Sequence, residues 1–219
     1  MPIRPHYPGF LIAIEGIDGA GKTTQAGLLQ EALEQKNFLV VRTKEPTAGH
    51  WGQILRNSAS TGRLSLEEEA ETFIKDRKEH VDTVIQPALA AGKVIIVDRY
   101  YFSTAAYQGA RGLDPSKLLE RNEAFAPEPD LLVLLDVEPE MGLERVRARG
   151  DQANLFEKRD SLEKAREIFL GIKRSYLCRL DARQEPNVLR DRIVARFETI
   201  VSEKRQRSRP NDKETLPTP

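Results

Sequence analysis

The sequence predicts an α/β fold: three layers, with a central parallel sheet of about five strands flanked by helices. Three observations predict it. Short apolar runs at residues 10–14, 38–41, 94–97 and 131–135 are unbroken rather than alternating, as suits strands covered on both faces. The stretches between them carry helical spacing, and strand–helix alternation builds right-handed crossovers onto one sheet. A glycine-rich turn follows the first run directly, where sheets of this kind gather their ligands, beyond the C-terminal ends of the strands.

Taken in order, residues 1–9 carry three prolines and read as an irregular lead-in. The first strand opens a single domain expected to span 10–201. In the first helix Ala26, Leu29 and Leu33 share one face and lead to the second strand. Ser65-Leu66-Glu67-Glu68 reads as a capping box that opens a later helix. Along that helix Leu66, Ala70, Phe73, Ile74 and Val81 trace an apolar stripe, with Arg77 one turn beyond Phe73. Past the fourth strand, residues 145–160 form a charged segment with a helical lid's composition. Residues 176–182 look shortened, passing straight into the last strand and leaving the fifth strand open. From Ser202 the chain has almost nothing to bury and reads as a disordered tail through residue 219.

Composition removes whole classes of function. Of 219 residues 39% are hydrophobic and 31% charged, polar for a globular chain but short of the disordered class. Lys and Arg number 34, matched by 34 Asp and Glu, which argues against bulk electrostatic binding to nucleic acid or to an anionic membrane. The one cysteine, Cys178, excludes an intrachain disulfide framework and a cysteine zinc cluster. His6, His50 and His80 show no metal-ligand spacing. No apolar run approaches the roughly 18 residues of a membrane span, and the N-terminus lacks a signal-peptide core. A cytoplasmic location is expected, with no nucleic-acid or membrane partner.

The chemistry begins at Gly16-Ile17-Asp18-Gly19-Ala20-Gly21-Lys22-Thr23, a full match to G-x-x-x-x-G-K-[ST]. Glycines let backbone N–H groups converge on phosphate oxygens at the start of a helix. A chance match in a chain this long is on the order of 1% from average residue frequencies. The expected ATP site is Gly16, Ile17, Asp18, Gly19, Ala20, Gly21, Lys22, Thr23 and Thr24, with Lys22 on the β/γ-phosphates and Thr23 on Mg²⁺. The 94–97 strand ends in Asp98, a Walker B pattern that makes Asp98 the second metal-site residue. Arg99 puts a cation at the ligand edge, with a surface salt bridge as the plain alternative. The fold class narrows to a P-loop NTPase fold. A regulatory GTPase would need N-K-x-D after a later strand, and a shikimate-kinase-like protein a D-x-D after the second; neither occurs.

Further blocks sharpen this: Glu15 to Gln25, Lys44-Glu45-Pro46-Thr47, Phe73-x-x-x-Arg77, Asp98-Arg99-Tyr100, Ser103-Thr104-Ala105-Ala106-Tyr107-Gln108-Gly109, Pro129-Asp130-Leu131, Leu135-Asp136-Val137, and Arg145-Val146-Arg147-Ala148-Arg149-Gly150. In order and spacing the chain resembles the thymidylate kinase family, from about Phe10 to Asp136 and more loosely to about Val201. The resemblance implies phosphoryl transfer from MgATP to dTMP, and a homodimer. It implies that Phe73 stacks on thymine, that Arg77 meets its carbonyl edge, and that Tyr107 packs beneath the deoxyribose. Thr104 and Gln108 stand close enough to contact base or sugar. Asp18 matches the family's acidic residue near the acceptor sugar. Without the family, periodicity slightly favours a core Phe73 with Arg77 snorkelling to water, and leaves Tyr107 a packing role.

Gly19 stands where some members carry an arginine, so the chain resembles the bacterial class whose catalytic arginines come from the lid. Arg145 and Arg149, four apart with no acid three or four residues before either, are the candidates; a solvated charged face is the alternative. Lys158 and Arg159 are weaker ones. The expected catalytic set is Lys22, Arg99, Asp18, Arg145 and Arg149. The acceptor set is Asp18, Lys44, Phe73, Arg77, Arg99, Thr104, Tyr107 and Gln108. Two positions depart from the family's Arg-Glu-Pro-Gly: Lys44 replaces the arginine, losing a bidentate phosphate fork that Arg42 is positioned to share, and Thr47 replaces the glycine. A kinase for another nucleotide or a deoxynucleoside, or a non-catalytic ATP-binding module, remain as alternatives.

Overall fold

The computed structural model describes residues 8–62, 64–148 and 155–207. Five parallel strands form one sheet in the order β2-β3-β1-β4-β5: β1 Phe10–Glu15, β2 Val40–Lys44, β3 Val94–Asp98, β4 Leu131–Asp136 and β5 Leu177–Asp181. The three central strands are buried almost throughout, as unbroken apolar runs require. The second strand differs from expectation. It starts at Val40, not Phe38, alternates in exposure, and pairs only with β3. It is an edge strand, which leaves Leu39 69% exposed.

Residues 177–181 do make the fifth strand, β5, which pairs with β4 from Leu132↔Leu177 to Asp136↔Asp181. The segment is short because β5 is an edge strand that passes directly into the last helix, α9 Pro186–Arg207. That helix continues past the expected end of the domain at Val201. Val201 is buried, and Lys204 donates to the Gly9 carbonyl (2.8 Å) and to Asp130 (3.1 Å), which holds the final turns against the sheet. Residues 1–7 of the lead-in and 208–219 of the tail lie outside the described residues.

Helix α1, Lys22–Gln35, buries Ala26, Leu29 and Leu33 and packs against α9. After α2, His50–Thr61, the expected capping box opens α3, Leu66–His80: the Ser65 hydroxyl accepts from the Glu68 amide while the Glu68 carboxylate accepts from the Ser65 amide. A π-helical turn, Val81–Ile85, carries α3 into α4, Gln86–Ala90. Then come α5, Tyr101–Ala110, and α6, Pro115–Glu123. Next come α7, Pro139–Arg147, and α8, Leu155–Gly171; of the segment expected as a lid, residues 149–154 lie outside the described residues. Of the described residues, no helix is long and apolar enough to cross a membrane.

Candidate active site

The glycine-rich loop leaves the C-terminal end of β1, the strand whose neighbours are β3 on one side and β4 on the other. It opens onto a cleft of about 810 Å³, toward the upper end of the roughly 300–1,000 Å³ typical of small-molecule sites. Gly19 has φ 79°, and a Cβ there would stand 2.1 Å from the Gly142 carbonyl oxygen of α7. A Cβ on Gly142 would in turn stand 2.5 Å from the Asp18 carbonyl oxygen. The loop and α7 therefore meet backbone to backbone. Gly142 was not legible as a site residue, since one glycine in a charged helix gives no signal.

Lys22, the first residue of α1, is buried, and its ammonium donates to the carbonyls of Gly16 (2.9 Å) and Ile17 (2.7 Å). Burial, and then the charge of Arg99, hold its pKa well below the ordinary lysine value, against the opposite pull of Asp18, Asp98 and Glu15. A polyanion in the loop would offset both effects. Beside it the Thr23 hydroxyl donates to Asp98 Oδ2 at 2.5 Å. Asp98 is buried, and its Oδ1 has no hydrogen-bond partner. A bare buried carboxylate oxygen is costly, and a divalent cation would satisfy it. One hydroxyl and one carboxylate suit Mg²⁺, which keeps waters and phosphate oxygens as its other ligands. No larger carboxylate or histidine cluster that could cage a metal occurs among the described residues.

Arg99 has φ 69°, the left-handed region that residues other than glycine rarely adopt. The turn brings its guanidinium to the loop, where it pairs with Asp18, donates to Ser103 Oγ (3.3 Å), and lies 5.2 Å from the centre of the Tyr107 ring. Glu15, absent from the expected set, supports this corner. Its fully buried carboxylate accepts from the amides of Tyr100 (2.7 Å) and Ser103 (3.1 Å) and from the Ser103 hydroxyl, and so caps α5 from the neighbouring strand. Burial raises its pKa despite those hydrogen bonds and the nearby Arg99 and Lys22.

The other half of the cleft lies between α3 and α5. Phe73 is half-buried, lines the cleft and is not part of the apolar core, so the core reading of Phe73 does not hold. Nor does Arg77 snorkel. It is 1% exposed, with Nε on Glu45 Oε2 (2.8 Å), one terminal nitrogen on Asn122 Oδ1 (2.5 Å) and the other on Glu45 (2.7 Å) and Thr104 Oγ1 (3.1 Å). Sequence reasoning required an acceptor for this inward cation, but sequence distance hid Glu45, Asn122 and His80, which completes the network on Glu45 Oε1 (2.9 Å). Thr104, Tyr107 and Gln108 all line the cleft, and Gln108 carries a buried, unpartnered Oε1.

At the rim, Lys44 is exposed and lines the cleft. Arg42 does not join it, because its guanidinium lies against Gly27 of α1. Thr47 uses the side chain a glycine lacks: its amide and hydroxyl bind both oxygens of buried Asp76, at 2.8 and 2.6 Å. Arg145 sits beside the loop and donates to the carbonyls of Gly19 (3.3 Å) and Ala182 (3.0 Å), outside the lining of the cleft. Arg159 pairs with Glu140. Arg149 and the side chain of Lys158 lie outside the described residues. Trp51, edge-to-face with His50 and with the Lys75 ammonium 4.7 Å from its ring centre, is off the cleft.

A family model described as thymidylate kinase matches residues 14–193. A thymidylate kinase of Xanthomonas euvesicatoria pv. vesicatoria is 61% identical over 172 residues, covering 78% of this chain and 76% of that protein. One from Xanthomonas campestris pv. campestris is 56% identical over 173 residues, covering 79% and 76%. One from Akkermansia muciniphila is 49% identical over 202 residues, covering 92% and 96%.

Proposed function

The chain belongs to the thymidylate kinase family, and we infer from that premise and from the cleft how it moves the γ-phosphoryl of ATP onto the 5′-phosphate of dTMP. The observation that carries the reading is the place of Arg99. It stands between the phosphate loop with Lys22, Thr23 and Asp98 and the α3–α5 slot with Phe73 and Gln108. A cation there lies between two phosphate groups that must approach one another.

Donor phosphates take the loop amides, and Lys22 moves from the carbonyls of Gly16 and Ile17 onto the β/γ oxygens. Thr23 and Asp98 would hold Mg²⁺, which when bound neutralises charge on the donor phosphates. The acceptor base enters between Phe73 and Gln108. The orphan amide oxygen of Gln108 accepts an N–H from the pyrimidine, and an Arg77 N–H outside its three protein hydrogen bonds meets a ring carbonyl. The Tyr107 ring supports the sugar, and Lys44 and Arg99 meet the acceptor phosphate. Asp18, tied to Arg99, sets that guanidinium's position. An already ionised acceptor oxygen requires no strong general base, so catalysis rests on alignment and charge neutralisation. Arg145, and Arg149 with it, belong to a lid closing over ATP once Arg145 exchanges its carbonyl partners for phosphate. The working form is a cytoplasmic homodimer.

The test is an ADP-release panel with dTMP, dUMP, dGMP, AMP, thymidine and deoxyguanosine. The highest kcat/KM should fall on dTMP, with dependence on added Mg²⁺. A highest rate on a nucleoside, or ATP binding with no acceptor used, would overturn the reading.

A further inference from the structure

The two helices that wall the acceptor slot share little apolar surface. Ala70, Ala105 and Leu118 form a small cluster separate from the main core. Two polar pairs cross between the helices. At the inner end the Arg77 guanidinium donates to Thr104 Oγ1 at 3.1 Å. At the mouth Arg111, just past the end of α5, forms an ion pair with Glu69 of α3. Pairing 77 with 104 and 69 with 111 sets the helices antiparallel and places Phe73 across from Gln108, midway. At 1.5 Å per residue the two pairs stand roughly 10–12 Å apart along the helices, about the span of a nucleoside. Glu69 and Arg111 both line the cleft.

We propose that Glu69 and Arg111 are a positioning pair that sets the width of the acceptor slot at its mouth, and with it the preference for a pyrimidine over a purine. The inner end is fixed by the buried network around Arg77. Among the described residues the outer end joins α3 to α5 through the small Ala70–Ala105–Leu118 cluster and this pair (Arg111 29% and Glu69 21% exposed), while the more exposed Glu71–Arg121 pair ties α3 to α6 rather than to α5. Without the pair the helices separate at the mouth, Phe73 and Gln108 move apart, and a pyrimidine no longer reaches both walls while a larger base gains room. Partly exposed ion pairs add little to global stability, so the effect falls on acceptor binding.

The proposal rests on the dTMP reading above. Its test compares Glu69→Gln, Arg111→Met and the exchanged double variant Glu69→Arg/Arg111→Glu, in the full-length chain, by steady-state kinetics. In each single variant the KM for dTMP should rise about 5- to 20-fold, with the KM for ATP within about twofold and kcat within about threefold. The dGMP-to-dTMP ratio of kcat/KM should rise, the melting temperature should hold, and the exchange should recover part of the lost KM. An unchanged KM for dTMP in both single variants overturns the proposal. So does a rise confined to Arg111→Met, which would make Arg111 a direct substrate contact. Wild-type turnover separates the two readings: if the parent enzyme does not use dTMP, the functional assignment itself fails.

Discussion

The Arg77 guanidinium and the Glu45 carboxylate form a buried ion pair, with Nε 2.8 Å from Oε2 and both side chains 2% exposed. Burying two charges is unfavourable unless their remaining hydrogen-bonding groups are also met. Here they are. Glu45 Oε1 takes His80 Nδ1, whose Nε2 lies 2.8 Å from Thr43 Oγ1. Three of the five guanidinium N–H groups hydrogen-bond to Glu45, Asn122 and Thr104, and a terminal nitrogen lies 2.7 Å from Glu45 Oε2 in the ion pair. The network joins the end of β2 to α3, α5 and α6 and places Arg77 before substrate arrives.

Glu45→Gln keeps the shape and removes the charge, leaving a buried cation without its partner. The expected loss is about 3–5 kcal/mol of unfolding free energy, read by urea denaturation, with weaker dTMP binding by calorimetry. An unmoved denaturation midpoint would show the pair to be dispensable.

Lys22→Ala should lower kcat by at least about 10²-fold, the scale of losing one group aimed at developing charge. Stability of the nucleotide-free enzyme should hold or rise, because burial already disfavours the charged ammonium there. Near-normal turnover would contradict the mechanism; a large fall in melting temperature would contradict the account of burial.

Gly142→Ala would put a methyl 2.5 Å from the Asp18 carbonyl oxygen, so α7 and the loop must separate. Overpacking of this kind costs about 1–3 kcal/mol, and the displaced loop should raise the KM for ATP several-fold more than the KM for dTMP. Equal changes in both would place the damage elsewhere.

Asp136 accepts from Arg166 (2.7 Å) and Arg179 (2.7 Å), joining β4 to α8 and β5. Burial opposes its ionisation, but the hydrogen bonds from Arg166 and then Arg179 outweigh it and lower the pKa. Because the folded-state pKa lies below the unfolded one, its contribution is present above the unfolded value near pH 4 and is lost as pH falls through the folded value. Allowing for exposure, that contribution is about 1 kcal/mol. Asp136→Asn should flatten the acid limb of a stability–pH curve below pH 4 by that amount. A limb unchanged in the variant would remove Asp136 from the acid response.

Much of the site was legible because it is local. The phosphate loop, the capping box and the Phe73–Arg77 stripe each lie within one turn or one helix, where backbone geometry follows from residue type and spacing. The edge position of β2 was not legible: its apolar start at Phe38 and Leu39 mimics a central strand, and only the strand order reveals that, among the described residues, no strand pairs with its outer edge. Arg145 had the spacing of a lid cation, but its carbonyl partners come from the loop and from Ala182, segments far apart in sequence.

The sequence by itself determined the layered α/β class, the phosphate-loop motif and the family. Each of these depends on contiguous residues whose local conformations are fixed by glycine placement, apolar period and capping. Only the tertiary structure decided which partners neutralise Arg77, that Glu15 caps α5, that Gly19 meets Gly142, and that Glu69 faces Arg111. From Glu45–Arg77 to Gly19–Gly142, those contacts join residues 32 to 123 positions apart. Their existence depends on how helices and strands pack together, a property no local pattern of residues encodes.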